Sequence, residues 1–506
     1  MQARRLTIIA QDPSVRTRHG ILRAVIDIPA EPLAPGPVGY RAQVVDFDAS
    51  SNTLYEPLRL GQVDRFARVS DRRLLSDPQF HAQNVYAIVM RTLSRFEFAM
   101  GRRVSWSFRG HQLKIAPHAF AGANAFYSKR DRALLFGYFP CAKGKTNYTC
   151  LSHHVVAHET THALLDGLRE RYADPSSPDQ AAFHEGFADV VALLSVLSLK
   201  DVVSRLAPSR TTMTVAALRK SALLGLTVSG ARNDVVRRSV QLRPSRDHLK
   251  SPEFRRPHRR GELLVAAMMN AFLHVWVSRL KGQGGADRLR RAEEGAAAAD
   301  RLLTMSIRAL DYCPPTDIEF RDFLSALLTA DSQLRPDEGK YPYREILLRS
   351  FASYGIRPTS KGPNGVWEAP VGRLRYSSVH FEAIRSDPDE VFRFLWENRR
   401  SLGLCADAYT RVQSVRPCQR VGADGFALRE TVAEYIQRIE LRAGELKRLG
   451  ISIPRGMPAQ HNVTLYGGGA LIFDEYGQLK FHVRNKILNA ERQTRRLRYL
   501  WKQRQP

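Results

Sequence analysis

Two short stretches of this chain, VVAHETTHALLDGL at 155–168 and FHEGFADVVALL at 183–194, set polar pairs into otherwise apolar runs. His158 and His162 are four residues apart, and so are Glu185 and Asp189. On an α-helix that spacing places each pair on one face. Val155, Val156, Leu164 and Leu165 give the first helix its apolar positions, and Gly167 is a natural stop. The run VVALLSVL argues against a freely solvated second helix. Two carboxylates facing an apolar environment require a cation or hydrogen-bond donors. One metal ion and one imidazole N–H would supply both.

His158, His162 and Glu185 are therefore predicted to hold one zinc ion, with Asp189 orienting a ligating histidine from behind. Three protein ligands leave a fourth position for water, which is the pattern of a catalytic rather than a structural site. Glu159, beside the first histidine, would stand next to that water and act as general base. Two plainer readings stay open at this point. One is a half-exposed helix that happens to carry two histidines; the other is an acidic surface pair.

Taken together, these stretches resemble the thermolysin-like gluzincin metallopeptidases. VVAHETTHALLDG is similar to that family's active-site helix, including an Asp four residues after the second histidine, here Asp166. HEGFADVVALL is similar to its third-ligand helix. Upstream, Asn124-Ala125-Phe126-Tyr127 resembles the edge strand that binds substrate in the family. RALDYCPPTDIEFRDFLSALLTAD and YREILLRSFASYGI resemble the helices that close its C-terminal lobe, so the similarity runs from about 80 to 357. The resemblance implies an α+β, two-lobed peptidase that hydrolyses peptide bonds, as an endopeptidase. It further implies that His258, oriented by Glu253, and Tyr172 donate hydrogen bonds to the reacting oxygen, with His248 as the fallback histidine. Arg259-Arg260 stand where the family has Asn and Ser, and the spacing to Gly261 is one shorter. The family's acidic calcium-binding cluster has no counterpart after Asp189, so calcium is not expected. Its members are typically secreted, whereas MQARRLTIIAQDPSVR does not read as a signal peptide. A cytoplasmic location is the expectation, non-classical export remaining open.

Organisation follows from composition shifts along the chain. Residues 1–150 read as a β-rich lobe, with strands at ILRAVIDI, YRAQVVDF, VSWSF and QLKIAP, a helix over 84–101 stopped by Gly101, and a hairpin turning at SKRD. Residues 151–357 read as a helical catalytic lobe. A boundary is expected in SYGIRPTSKGPNG, leaving 358–506 as a small mixed extension with a hairpin, GGALIFDEYGQLKFHV, and a basic terminal helix. The most apolar run, LLVAAMMNAFLHVWV, is shorter than a membrane span and contains Asn270 and His274, so a buried helix is expected. Five cysteines form no disulfide framework; Cys141 and Cys150 could pair, bind metal or be lone buried thiols. The formal net charge of +27 favours an anionic partner, with 484–506 as the candidate contact. That charge carries the alternative function: a basic binding or regulatory protein for which the metallopeptidase-like core is a scaffold.

Overall fold

Long strands and long helices alternate in blocks along the chain. The computed structural model describes residues 3–17, 20–107, 110–141, 145–206, 214–219, 239–281, 287–337, 341–422 and 425–503. The last three residues of the expected basic terminal stretch lie outside that set. The longer strands of the first block are β1 (Ala3–Ile9), β2 (Arg23–Pro29), β3 (Ala42–Val44), β4 (Leu113–Ala121), β5 (Ala125–Ser128), β6 (Ala133–Cys141) and β7 (Lys145–Tyr148). The last block holds β8 (Tyr409–Val421), β9 (Ala427–Arg442), β10 (Asn462–Phe473) and β11 (Leu479–Asn485). The longer helices are α1 (Pro78–Met100), α2 (His153–Leu168), α3 (Pro178–Leu197), α4 (Pro257–Leu280), α5 (Arg288–Ala309), α6 (Phe320–Leu334), α7 (Tyr343–Ala352), α8 (Pro388–Glu397) and α9 (Ala490–Gln503). The architecture is mixed, with helices and sheets largely segregated along the chain.

In the first block, β6 is central. It runs parallel to β4, which is parallel to β3, and its other edge pairs antiparallel with β5 and then β7. The SKRD turn closes the β5–β6 hairpin in the register Ser128 to Ala133 and Phe126 to Leu135. α1 begins earlier than expected, where the Asp77 carboxylate accepts the Gln79 N–H at 3.0 Å. It ends at Gly101, whose φ of 67° is the left-handed conformation that glycine adopts freely. VSWSF does not become a strand over its described residues 104–107. Trp106 instead drops into the core, and its indole N–H donates to the Arg41 carbonyl at 3.0 Å.

Helix α2 packs against both α1 and α3, and α3 packs against α4. The last two cross at a pair of glycines. A Cβ on Gly186 would lie 2.9 Å from the Gly261 carbonyl oxygen, and one on Gly261 would lie 3.0 Å from that of Ala182. The bare backbones therefore touch, which brings the first turn of α4 beside Glu185. Both helices are long and apolar enough to cross a membrane, but each has 78% of that apolar window buried within the protein.

The last block does not stand apart from the helices. Strands β8 to β11 form an antiparallel sheet in sequence order. Ala470, Ile472, Phe481 and Val483 on one of its faces belong to the same buried core as α1 to α7, and its other face packs on α8. Asp311, at the end of α5, accepts two bonds from Arg102 at 2.6 and 2.7 Å and another from Arg420 on β8. Arg420 also pairs with Glu430 on β9, which accepts the Tyr312 hydroxyl at 2.7 Å. Burial would raise Asp311, but Arg102 and Arg420 outweigh it and hold the carboxyl well below the usual range. Helix α9 docks on the same chain, as Arg492 meets Asp322 at 3.0 Å, Arg495 meets Glu319 at 2.7 Å, and Leu497 is buried.

Asp311→Ala leaves two buried guanidinium groups without their shared counter-charge. It is expected to lower unfolding free energy by about 3–5 kcal/mol, read as a lower midpoint in urea denaturation with an unchanged slope.

Candidate metal centre

The apolar character of α2 buries every residue from His153 to Leu168 except Gly167. The helix runs one residue past the glycine read as its stop. Its polar side chains must therefore find partners inside the protein, and α3 brings them. His158 Nδ1 lies 2.7 Å from Asp189 Oδ1. A carboxylate oxygen accepts, so Nδ1 carries a proton, and Nε2 is the nitrogen left to face a metal ion. That Nε2 stands 2.9 Å from His162 Nε2, 3.6 Å from one Glu185 oxygen, and His162 Nε2 is 3.8 Å from the other. The ligand-type atoms of His158, His162 and Glu185 lie within 4.8 Å of one another.

Carboxylates and imidazoles perturb one another strongly at this point. Burial alone would raise Glu185, but His158, His162 and His258 outweigh it and hold the carboxyl well below its ordinary range. Asp189 is held low in the same way by His158 and His154. Burial would lower His158, yet the Asp189 carboxylate carries it above its ordinary value. A buried imidazole made this basic is one whose surroundings favour a positive charge. Two imidazoles and a carboxylate form a donor set suited to zinc, with an acidic partner behind one imidazole. The residues present fit such an ion.

Other expected residues are placed as follows. Glu159 is buried, and its Oε2 accepts the backbone N–H of Tyr127 on β5 at 3.1 Å. Asn124, Ala125 and Phe126 thus stand at the edge strand over Glu159, with Asn124 and Phe126 exposed and Ala125 buried. His258, at the start of α4, has Nδ1 3.7 Å from Glu185 Oε2 and is 74% exposed, so it rims the centre. Asp166 reaches the histidines indirectly. It accepts from His184 at 2.8 Å, whose ring stacks on His162 at 4.5 Å.

Two assignments need correction. Tyr172 is buried, and its hydroxyl donates to the Pro314 carbonyl at 2.6 Å, which removes it from the centre. Glu253 does not orient His258; it pairs with Arg259, which also holds Glu262. The fallback His248 is likewise elsewhere, 2.9 Å from the Arg243 carbonyl and stacked near Tyr354. Two histidines were missed. His154 lies 3.3 Å from Asp189, and its position one turn before His158 was the available signal. His184 could have been found from its place immediately before Glu185.

No protein-family model matches this chain, and no curated protein matches it.

Removing the carboxylate behind His158 releases that ring's tautomer and orientation. Asp189→Ala is expected to weaken zinc binding by roughly 10–100-fold, measured by competition with a chromophoric chelator on protein whose circular dichroism is unchanged.

Proposed function

We propose that this chain is a zinc metallopeptidase of the thermolysin-like gluzincin type. The observation that carries the reading is the convergence of His158, His162 and Glu185, with Glu159 tied to the backbone of strand β5. When bound, a zinc ion supplies Lewis acidity, which polarises a peptide carbonyl and makes water acidic enough to act as a nucleophile near neutral pH. His158, His162 and Glu185 would hold that ion, and Asp189 would keep His158 in the correct tautomer.

The chain's own groups do the rest. Glu159 takes a proton from the attacking water and passes it to the leaving amine. Its carboxylate accepts the Tyr127 N–H, which links the general base directly to the edge strand. An extended peptide pairs with the outer edge of β5 as an added strand, with Asn124 and Phe126 beside its side chains. His258, at the rim beside Glu185, would donate to the oxygen on which charge develops. Its seat depends on the Gly186–Gly261 crossing, which lets α4 approach this closely.

Glu159→Gln is expected to retain zinc and to lose chelator-sensitive cleavage of a peptide library by about 10²–10⁴-fold. A zinc-loaded wild-type protein that cleaves no member of the library sinks the reading.

One observation favours a second role, binding of an anionic partner. A cleft of about 740 Å³ beside Asp166 and Gly167 is lined by Arg171, Arg411, Arg416 and Arg438, with Tyr409 and Tyr466 between them. Arg411 and Arg438 are exposed, whereas the arginines of α9 named above are engaged by the chain's own acids. If this cleft takes nucleic acid, binding weakens as salt rises, and Arg411→Ala with Arg438→Ala lowers both the affinity and the salt slope. Fluorescence anisotropy with a single-stranded oligonucleotide at two salt concentrations measures this; no binding at low salt disposes of the role.

A further inference from the structure

A second group of ligand-type side chains meets in the first block, independently of the peptidase reading. His81 comes from α1, His118 from β4, and Cys150 from the short turn that leads into α2. All three are buried, at 1%, 1% and 0% exposure. Their ligand-type atoms lie within 4.8 Å of one another.

The far nitrogens of both imidazoles face acceptors. His118 Nδ1 lies 3.0 and 2.8 Å from the two oxygens of Asp46, so it carries a proton and Nε2 has a lone pair. His81 Nε2 lies 3.2 Å from the Leu75 carbonyl oxygen, so a proton there leaves Nδ1 with a lone pair. Those two inner nitrogens, His81 Nδ1 and His118 Nε2, are 2.7 Å apart. Two lone pairs at that separation repel unless a positive charge lies between or beside them. The remaining cation-free arrangement moves the His81 proton to Nδ1 and gives up its bond to Leu75.

We propose that His81, His118 and Cys150 bind a second zinc ion, which ties α1, β4 and the entry to α2 together. The donors are those zinc prefers, and each imidazole has the acceptor behind it that metal-binding histidines usually have. Tetrahedral bonds of about 2.0–2.3 Å would hold the donor atoms roughly 3.3–3.7 Å apart, so the two rings separate slightly as the ion enters. Burial pushes the Cys150 thiol up, so it is protonated before the ion arrives. Binding forms the zinc–sulfur bond, breaks the S–H bond and releases one proton to solvent. A cleft of about 790 Å³ lined by Leu75, Tyr148 and Leu151 lies next to the cluster. The Tyr148 ring, part of that cleft's lining, stands 4.6 Å from His81 and 5.2 Å from His118.

Cobalt(II) distinguishes the two centres, because only this one offers a thiolate. Metal-stripped full-length protein reloaded with cobalt is expected to show a near-ultraviolet thiolate-to-cobalt charge-transfer band. Cys150→Ser removes the band, while the double variant His158→Ala, His162→Ala keeps it. Zinc content falls from two per chain to one in either variant. If Cys150→Ser does not fold, the wild-type band and its persistence in the double variant carry the test. A folded, cobalt-loaded wild type without the band, or a band that survives Cys150→Ser, overturns the proposal and leaves a plain His81–His118 hydrogen bond.

Discussion

Asp189 organises the centre of the molecule. One of its oxygens lies 2.7 Å from His158 and 3.3 Å from His154, so a single carboxylate on α3 engages two successive turns of α2. That contact is possible only if the helices pack closely with their polar pairs turned inward. Close packing in turn removes water, which is why the carboxylates must be answered by imidazoles or a cation. The same helix serves α4 through Gly186, the residue after Glu185. Within five residues, Glu185 to Asp189, α3 therefore supplies a ligand-type oxygen, a contact point for the next helix and the partner of a histidine. A bulky side chain at Gly186 would disturb the seat of His258 at the rim of the centre through the helix crossing.

How far the sequence could be read depended on whether its signals were periodic. The pairs His158–His162 and Glu185–Asp189 were legible because both lie on regular helices, where four residues mean one face. The strand holding Ala125 and Phe126 was legible because SKRD marks a turn between β-prone runs, and its place at an edge was what the resemblance implied. Tyr172 was not. It sits in a 3₁₀ turn after α2, and periodicity cannot say whether a lone turn residue faces in or out. Glu253 failed for an electrostatic reason. An acid in a short turn beside Arg255, Arg256, Arg259 and Arg260 has guanidinium partners at hand, and Arg259 takes it. The segment after 357 carried a signal that went unused. From Gly467 to Phe473 strand β10 is buried at every position, as expected of a strand covered on both faces. That run marked the sheet as part of the core.

The two histidine clusters follow one logic with different visibility. In each, an imidazole is held by a carboxylate at its far nitrogen, Asp189 for His158 and Asp46 for His118, so that its near nitrogen turns a lone pair inward. At α2 and α3 the participants are close in sequence and share helical periods. His81, His118 and Cys150 come from three separate elements, and no spacing rule joins them. Only the fold brings them together, through the packing of α1 on the sheet that contains β4.

The surplus of arginine also means something different once it is located. Arg102, Arg169 and Arg420 are buried struts rather than parts of a positive surface. Arg169 is the residue directly after α2, and its guanidinium reaches Glu434 on β9 and the Leu310 carbonyl at the end of α5. The C-terminal end of the histidine-bearing helix is thus fixed by the tail sheet. Since Arg169, Arg171 and Glu434 also border the cleft that contains Arg411 and Arg438, a ligand in that cleft would press on the same strut. The residues that fix the C-terminal end of α2 and the residues that line this cleft are thus partly the same. Contact with these residues, not long-range charge, is what could join the cleft to the helix, because counter-ions screen surface fields beyond about 8–10 Å.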